Sequence, residues 1–304
     1  MKKGFMLSVL FIVLAVLSSC GSGKKQNAQE QEHNAVMVIN EDMRFCESTY
    51  PYKGGLLIAN FGTEELNPLN MEGKGYILFY KEGKITTLIP ADGNLSGPKG
   101  MFEKDGYLFI CDVNKIVVYN LNALSDAPQV IKLPEGDLFV NDLAANGNTL
   151  YASVTNTGRI YSIDITDLAN MDKAVPVEWC EVPGPNGLVV NGNSMYIASY
   201  PADGKTTEDN VVYYIADLKQ PKPEKFITEA GQYDGVVLSA DKKTLYVSNW
   251  VPAGVSAINM ETKAIAPLDL KVPVIGAADM SLVDGTLYIP DLPNSQVIIY
   301  PLKK

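Results

Sequence analysis

The residues best suited to chemistry in this chain are small polar side chains that stand directly before short aliphatic runs. Five stretches share one layout, in which a turn is followed by Asn, Asp or Lys and then by apolar residues: GPKGMFE, FVNDLAA, GPNGLVV, QYDGVVL and GAADMSL. Asn and Asp oxygens are ligands for hard divalent cations, and a carboxylate can also act as a general base. Their chemistry depends on whether the fold brings them to one point.

A repeated unit indicates how the fold arranges these stretches. A turn followed by an apolar-aromatic run recurs at intervals of about 40 to 50 residues, as in four-stranded propeller blades. The six copies are GGLLIANF, DGYLFICD, NGNTLYASV, NGNSMYIAS, DKKTLYVSN and DGTLYIPD. Short strand-forming runs broken by Gly, Asp, Asn and Pro predict an all-β fold, a six-bladed β-propeller. A β-sandwich or two stacked β domains is the alternative, but no linker divides residues 35–304, which favours one domain.

The last repeat predicts how the ring closes. It runs out of sequence after its third strand, at Tyr300. We therefore expect residues 35–40 (AVMVIN) to join the last blade as its fourth strand, pairing the two ends of the propeller.

The propeller prediction places the polar residues at one mouth of the central channel. The first strand of each blade lines that channel, so equivalent early positions converge on its axis. The candidates at these positions are Glu47, Asn141 or Asp142, Asn186, Asp234 and Asp279, with Lys99 taking the polar place in the second unit. For Asp279, holding the closing blade is the alternative role. Two carboxylates and two amides around one point suit one divalent cation. We expect Ca²⁺ first, with Mg²⁺, Mn²⁺ or Zn²⁺ as alternatives.

Turn formation is the competing interpretation, because Asn-Gly and Asp-Gly are also common turn dipeptides. It is the expected one for Asn146, Asn191, Asp105 and Asp284. In Asn186-Gly187 and Asp234-Gly235 an apolar strand follows at once, which favours a channel position.

The mouth of the channel is the expected binding place of a small-molecule ligand. Asn141, Tyr50 and Tyr233 are the candidate substrate-binding residues, and Tyr52 and Tyr200 also lie near site residues in sequence. Tyrosines can stack on a sugar or an aromatic ring, but packing between strands is the alternative role. The polar loop Tyr200–Asn210 is either a lid or a disordered excursion.

Composition and charge exclude several classes of function. The formal net charge of −10 leaves no electrostatic footprint for nucleic acid. The one histidine, His33, precedes the folded body, which excludes a Ser-His-Asp triad and histidine-ligated metal sites there. Cys46, Cys111 and Cys180 lack metal-site spacing, and one disulfide among them is an open alternative. We expect a monomer.

The N-terminal segment predicts export and lipidation. Residues 1–19 have a basic start, an apolar core and small residues at the end, as in a secretory signal. Cys20 follows as in a bacterial lipobox, so its thiol is the expected acylation site, and residues 20–34 form a polar, flexible tether. A plain secretory signal is the alternative. The lipid would anchor the protein to a membrane of the cell envelope, at the periplasmic face or the cell surface.

The site stretches resemble those of the senescence marker protein (regucalcin) and gluconolactonase family of six-bladed propellers. The resemblance covers most of residues 43–300 and rests on CEST, VNDL, PNGL and YDGV in this order. It implies a divalent metal on Glu47, Asn186 and Asp234, with Asn141 near the metal or substrate and Asp234 as the catalytic general base. Phe139 stands where the family often has an arginine, which puts an aldonolactone substrate in doubt.

Two functions remain open from the sequence. The first is a divalent-metal-dependent hydrolase of the lactonase or gluconolactonase type at the bacterial cell envelope. The second is a non-catalytic propeller lipoprotein that binds a ligand or a protein partner. A propeller lyase is less favoured because it would ordinarily require a histidine base in the channel.

Overall fold

The computed structural model describes residues 35–302, and the structural statements below refer to this part of the chain. The predicted signal segment (1–19), Cys20, the tether (20–34) and His33 lie outside the described residues. Within these residues, no helix is long and apolar enough to cross a membrane.

Twenty-four strands form six antiparallel sheets of four strands, and each sheet is one blade. Strand β1 (Met37–Ile39) comes first in the chain. Blade 1 follows with β2 (Cys46–Tyr52), β3 (Gly55–Asn60), β4 (Tyr76–Lys81) and β5 (Lys84–Ile89). Blade 2 contains β6 (Pro98–Lys104), β7 (Tyr107–Asp112), β8 (Lys115–Asn120) and β9 (Gln129–Lys132). Blade 3 contains β10 (Val140–Asn146), β11 (Thr149–Val154), β12 (Arg159–Asp164) and β13 (Val177–Glu181).

The second half of the ring repeats the same order of strands. Blade 4 contains β14 (Pro185–Asn191), β15 (Ser194–Ser199), β16 (Tyr213–Ile215) and β17 (Glu224–Lys225). Blade 5 contains β18 (Tyr233–Leu238), β19 (Thr244–Trp250), β20 (Ala253–Asn259) and β21 (Ile265–Pro267). Blade 6 contains β22 (Ser281–Val283), β23 (Thr286–Asp291), β24 (Gln296–Pro301) and β1. Two short 3₁₀ helices, Leu168–Lys173 and Leu292–Asn294, lie in connections.

Ring closure follows the prediction from the sequence. Strand β1 pairs antiparallel with β24, placing Met37 opposite Ile299 and Val38 opposite Ile298. Blade 6 is therefore completed by residues from both ends of the propeller, which ties the first and last repeats together. The all-β, six-bladed fold is confirmed.

The apolar core lies between adjacent blades. Leu57 and Ile77 of blade 1 share one buried cluster with Met101 and Ile110 of blade 2. Each blade is thus covered by its neighbours, and removing apolar surface from water is the main force that holds the ring. This packing fixes the inner strands relative to one another.

The three cysteines within the propeller are free thiols. Cys46 and Cys111 are fully buried, and burial raises the pKa of both thiols. The open alternative of a disulfide is thereby excluded for these residues, and neither buried thiol is suited to act as a nucleophile.

Candidate functional site

The first strand of each blade lines the channel, and we call it the inner strand. In blades 1 to 5, a β-bulge at its start directs one side chain into the channel mouth. In blade 3, Val140 pairs with Val154, but Leu143 pairs with Ala152, so one extra residue is inserted. The same register shift occurs at the start of the inner strand in blades 1, 2, 4 and 5. Bulges bend a strand and redirect its side chains. In each of these blades, one residue directly follows the first paired residue of the inner strand. We call this set the channel ring: Glu47, Lys99, Asn141, Asn186 and Asp234.

All five ring residues line one cavity of about 320 Å³ at the mouth of the channel. They are 2–5% exposed, although every one is polar or charged. A second, more open depression of about 370 Å³ lies along residues 268–274 and contains none of them. The structure therefore brings together the four oxygen-bearing residues that the sequence singled out.

Asp279 does not occupy the sixth ring position, and the alternative role, holding the closing blade, describes it instead. Ala277 bridges Asp291, the last residue of β23, so Ala278 is the ring residue of blade 6 and Asp279 lies one residue further along. Asp142, the alternative to Asn141, holds the same later position in blade 3. We call Asp142 and Asp279 the lower pair.

The lower pair is already hydrogen-bonded within the protein. Asp142 accepts hydrogen bonds from the backbone N–H groups of Leu143 (2.7 Å) and Leu188 (2.6 Å). Asp279 accepts one from the Ser48 hydroxyl at 2.6 Å. These carboxyls join neighbouring inner strands, which is a structural role.

The glycines after Asn186 and Asp234 belong to strands and not to turns. A Cβ on Gly187 would lie 2.4 Å from the Asp234 carbonyl oxygen, and one on Gly235 would lie 2.7 Å from the Asp279 Cα. Glycine is required here because adjacent inner strands approach closely. The turn interpretation holds instead at Gly147 (φ 62°), in the Asn-Gly pair that joins β10 to β11.

Four ring oxygens are buried without a hydrogen-bond donor. They are Glu47 Oε2, Asn141 Oδ1, Asn186 Oδ1 and Asp234 Oδ1. Two other buried atoms without hydrogen bonds within residues 35–302, Asp112 Oδ2 and Arg159 Nε, have ion-pair partners at 3.5 and 3.3 Å. Leaving a buried acceptor unpaired costs on the order of 1–3 kcal/mol, so four such oxygens in one cavity are suited to an electropositive ligand.

The other oxygen of Asp234 is held by a residue that the sequence did not single out. The Trp250 indole N–H donates to Asp234 Oδ2 at 2.9 Å, which leaves Oδ1 directed away from this contact. The Lys99 ammonium donates to the carbonyl oxygens of Gly97 (2.9 Å) and Pro68 (3.3 Å). Trp250 therefore orients the Asp234 carboxylate, and Lys99 compensates part of the negative charge of the ring.

Burial and mutual repulsion keep the ring carboxyls basic. Burial, and then the charge of Asp234, raise the pKa of Glu47 well above its usual value, and Lys99 lowers it. Burial, and then Asp279, raise the pKa of Asp234 to about 8, against the lowering effects of Trp250 and Lys99. Without a cation, protons therefore compensate part of this charge near neutral pH.

A second set of equivalent residues forms the wall of the mouth. In each blade, one residue of the second strand pairs with the first residue of the inner strand, and the wall residue comes directly after it. In blade 5, for example, Asn249 pairs with Tyr233, and Trp250 follows Asn249. We call this set the wall ring: Phe61, Val113, Thr155, Tyr200, Trp250 and Leu292. All but Val113 line the cavity. The wall ring could have been found from the sequence, because each of its residues follows the apolar run of the second strand in its repeat. Phe61 ends LLIANF in this way, and Trp250 ends YVSNW.

The structure does not bring Tyr233 and Tyr50 to the mouth. Tyr233 precedes its ring residue, packs in the core of blades 3 to 5 and donates its hydroxyl to the Glu229 carbonyl at 3.1 Å. Tyr50 packs between blades 1 and 2, where its hydroxyl accepts the Glu103 backbone N–H at 3.1 Å. Both tyrosines therefore pack between strands, which was the alternative role. Tyr233 lies before the bulge of its strand and Tyr50 lies after it, so neither side chain is turned into the channel.

The loop Tyr200–Asn210 lies against the mouth. Ala202 and Gly204 line the cavity, and the Gln232 side-chain amide donates to the Gly204 carbonyl at 3.0 Å. An ion pair of 2.9 Å joins Asp209 to Lys225. The loop is thus a fixed part of the wall and not a disordered excursion.

The channel ring is chemically suited to a cation without being an all-acidic site. Within residues 35–302, no three His, Cys, Asp or Glu side chains cluster as metal ligands. The donor set consists of two carboxylates and two amides, and unpaired oxygens of this type fit a hard divalent ion. Glu47, Asn186, Asp234 and Asn141 are the residues that could hold it.

The fold and this mouth define a six-bladed β-propeller with an oxygen-lined central site. Two solved structures are similar in fold, and both carry the name of a lyase. A catalytically inactive variant of virginiamycin B lyase from Staphylococcus aureus with quinupristin has a TM-score of 0.59 and 13% identity, covering 88% of this chain and 99% of that chain. A streptogramin B lyase has a TM-score of 0.57 and 13% identity, covering 87% and 96%. No protein-family model and no curated protein sequence matches the chain. At this identity the likeness establishes the fold alone.

Proposed function

We propose that the protein is a divalent-metal-dependent hydrolase of lactones, which are cyclic carboxylic esters. The observation that carries the proposal is the set of four unpaired, buried oxygens that converge in the channel mouth. Its position at the cell envelope is proposed from the N-terminal sequence, which predicts a lipid anchor on Cys20.

Glu47, Asn186 and Asp234 are the proposed ligands of the cation, with Asn141 beside them. When bound, the cation supplies polarisation of the ester carbonyl and stabilisation of the negative charge that develops on its oxygen. Ca²⁺ is the first candidate, because a mixed set of carboxylate and amide oxygens completed by water is its usual environment.

Asp234 is the proposed general base. Trp250 holds Oδ2, so Oδ1 is the oxygen that would face the cation and also take a proton from the attacking water. The water oxygen bonds to the carbonyl carbon, the ring C–O bond breaks, and the proton passes to the leaving oxygen. One water is consumed, and the product is a hydroxy acid.

Lys99 contributes charge to the same mouth. Two carboxylates, one ammonium and a divalent cation leave a net positive charge, which favours an oxyanion over a neutral carbonyl. The Lys99 ammonium is held by two carbonyl oxygens, so it would act through its field.

A lyase reaction is not proposed, although the similar structures are named as lyases. The first of them is a catalytically inactive histidine-to-alanine variant. Residues 35–302 of this chain contain no histidine, so the propeller cannot supply a histidine base.

The proposal is tested by thermal unfolding and by lactone hydrolysis. We expect Ca²⁺ at a hundred times its dissociation constant to stabilise the fold by about 2.7 kcal/mol, which corresponds to a rise of about 5–10 °C in Tm over the EDTA sample. EDTA should abolish hydrolysis of simple lactones, and Asp234→Asn should reduce it at least a hundredfold.

The matched control is Asp284→Asn, which makes the same chemical change at an exposed turn of blade 6. It should retain both the Ca²⁺ effect and the activity. If Asp234→Asn hydrolysed lactones as fast as the parent, Asp234 would not be the base.

A non-catalytic ligand-binding propeller is the second candidate, and Lys99 is the observation in its favour. A buried ammonium near Glu47 and Asp234 compensates part of their charge without any metal. Absence of a Tm change with Ca²⁺, Mg²⁺, Mn²⁺ and Zn²⁺ would select this candidate.

A further inference from the structure

The wall of the mouth is chemically different from its floor. The floor is the channel ring, whereas apolar atoms form most of the wall. The apolar or aromatic side chains that line the cavity are Phe61, Leu66, Pro68, Phe139, Tyr200, Trp250 and Leu292. Tyr200 and Trp250 contact each other edge to face, with ring centroids 6.0 Å apart. A ligand that reaches the floor must therefore pass between aromatic and aliphatic surfaces.

The polar hydrogens of three residues at the mouth are committed to protein acceptors. The Thr155 hydroxyl donates to the Pro185 carbonyl at 2.9 Å, and the Trp250 indole N–H donates to Asp234. Lys99 donates to backbone carbonyls. Above the channel ring, a polyhydroxylated ligand would lose water at each hydroxyl and find few partners on the mostly apolar wall, which is unfavourable.

The wall of the mouth offers no basic side chain to an anionic group on the ligand. Lys99, in the channel ring, is the one basic side chain among the residues that line the cavity, and its ammonium donates to the carbonyl oxygens of Gly97 and Pro68. A carboxylate or phosphate on the part of the ligand that contacts the wall would therefore find no arginine to hold it.

Apolar side chains continue from the wall onto the exposed rim. Leu66 is 38% exposed, Leu138 41% and Val251 59%. Leu66 lines the cavity itself, Leu138 directly precedes Phe139, and Val251 directly follows Trp250. The rim thus extends the apolar surface that an elongated ligand would contact.

We propose that the substrate is an uncharged lactone with an aryl or acyl group, rather than a sugar lactone. Its carbonyl would face the channel ring, and its apolar part would pack against Phe61, Tyr200, Trp250 and Phe139. This inference rests on the proposed lactonase function and specifies its substrate. The cavity of about 320 Å³ is at the small end of ligand pockets, which suits one ring with a short substituent.

Binding of stable lactams tests the ligand class separately from catalysis. Trp179→Phe leaves Trp250 as the single tryptophan, so its fluorescence reports the mouth. In the presence of Ca²⁺, we expect the aromatic lactam 3,4-dihydroquinolin-2-one to quench this fluorescence with at least tenfold higher affinity than gluconolactam. Equal or tighter binding of gluconolactam, or no binding of the aromatic lactam, would overturn the inference.

Two variants of Phe139 supply the matched control. Phe139→Leu keeps an apolar wall, and the affinity for the aromatic lactam should stay within about threefold. Phe139→Arg places a charge there and should weaken this binding at least tenfold. Equal affinities of the two variants would contradict an apolar contact at this position.

Turnover separates failure of this inference from failure of the proposed function. Dihydrocoumarin should be hydrolysed at least tenfold faster than glucono-δ-lactone. Faster hydrolysis of glucono-δ-lactone would overturn the substrate class and leave the lactonase in place. Binding of the aromatic lactam without hydrolysis of any lactone would overturn the lactonase and leave a site for apolar ligands.

Discussion

Glu47 and Asp234 are buried in one ring of side chains, where ionising one carboxyl makes ionising the other more costly. Burial is the largest cause of their raised pKa values, and neighbouring carboxyls add to it. Asp279 adds a third carboxyl, whose pKa burial raises to about 7. The cation that we propose would therefore compete with protons for the same oxygens.

We expect the metal-free protein to lose stability as pH rises from about 4 to about 8. The pKa of Asp234 is raised from 3.8 to about 8 in the folded state. Between these values the folded protein keeps a proton that the unfolded chain has released, so the free energy of unfolding falls with pH. The slope is about 1.4 kcal/mol per pH unit for each such carboxyl. Calorimetric Tm values in EDTA from about pH 5 to about pH 9 measure it.

Asp234→Asn should make this dependence less steep because it removes one of the buried carboxyls with a raised pKa, and Asp284→Asn should leave the dependence unchanged. Saturating Ca²⁺ should also flatten it, since the cation replaces protons on the ring. A Tm that is constant or rises with pH in EDTA would contradict the raised pKa of Asp234.

At the scale of single strands, the bulged inner strand is the device that builds the site. The extra residue of the bulge turns one polar side chain into the mouth. The residue directly after this side chain lies against the inner strand of the neighbouring blade. Gly187 and Gly235 occupy that position in blades 4 and 5, where a side chain would overlap neighbouring backbone. In each pair, the Asn or Asp belongs to the channel ring, and the glycine allows the neighbouring inner strand to approach closely.

Gly235→Ala should lower the free energy of unfolding by about 1–3 kcal/mol, because its methyl group would overlap the backbone of Asp279 and Met280. The control is Gly147→Asn at an open hairpin turn with φ 62°, a conformation that Asn tolerates. Urea unfolding monitored by tryptophan fluorescence measures both variants. A Gly235→Ala protein as stable as the parent would show that the inner strands can separate at no cost.

At the scale of the whole molecule, closure of the ring depends on three residues before blade 1. Strand β1 supplies the outer edge of blade 6 and connects the first repeat to the last. Without it, β24 becomes an exposed edge strand, which is prone to pair with other chains.

A chain beginning at Asn40 should therefore be less stable than one beginning at Ala35. Each kcal/mol lost lowers Tm by about 2–4 °C in a domain of this size, and we expect a fall of several degrees. The truncated chain should also associate at high concentration in sedimentation experiments. Identical Tm values for the two chains would mean that β1 does not contribute to closure.

The number of blades, the closing strand and the four oxygen-bearing residues of the channel ring could be predicted from the sequence. Turns and apolar runs are local signals, and they recur at each blade, so the repeat could be counted without coordinates. Asn141, Asn186 and Asp234 stand at the start of such a run, whereas Glu47 is followed by Ser48 and Thr49 and is identified by its corresponding place in the first repeat.

Which side chains meet could not be predicted from the sequence, because it depends on how the strands pair. A one-residue register difference in blade 6 puts Ala278 into the ring in place of Asp279, and pairing registers are set by contacts between strands. Tyr50 and Tyr233 are near the site in sequence but point into the core, because successive residues of a strand face opposite sides. Trp250 reaches Asp234 across their hairpin at 2.9 Å. Such contacts depend on strand pairing and twist, which local sequence signals do not specify.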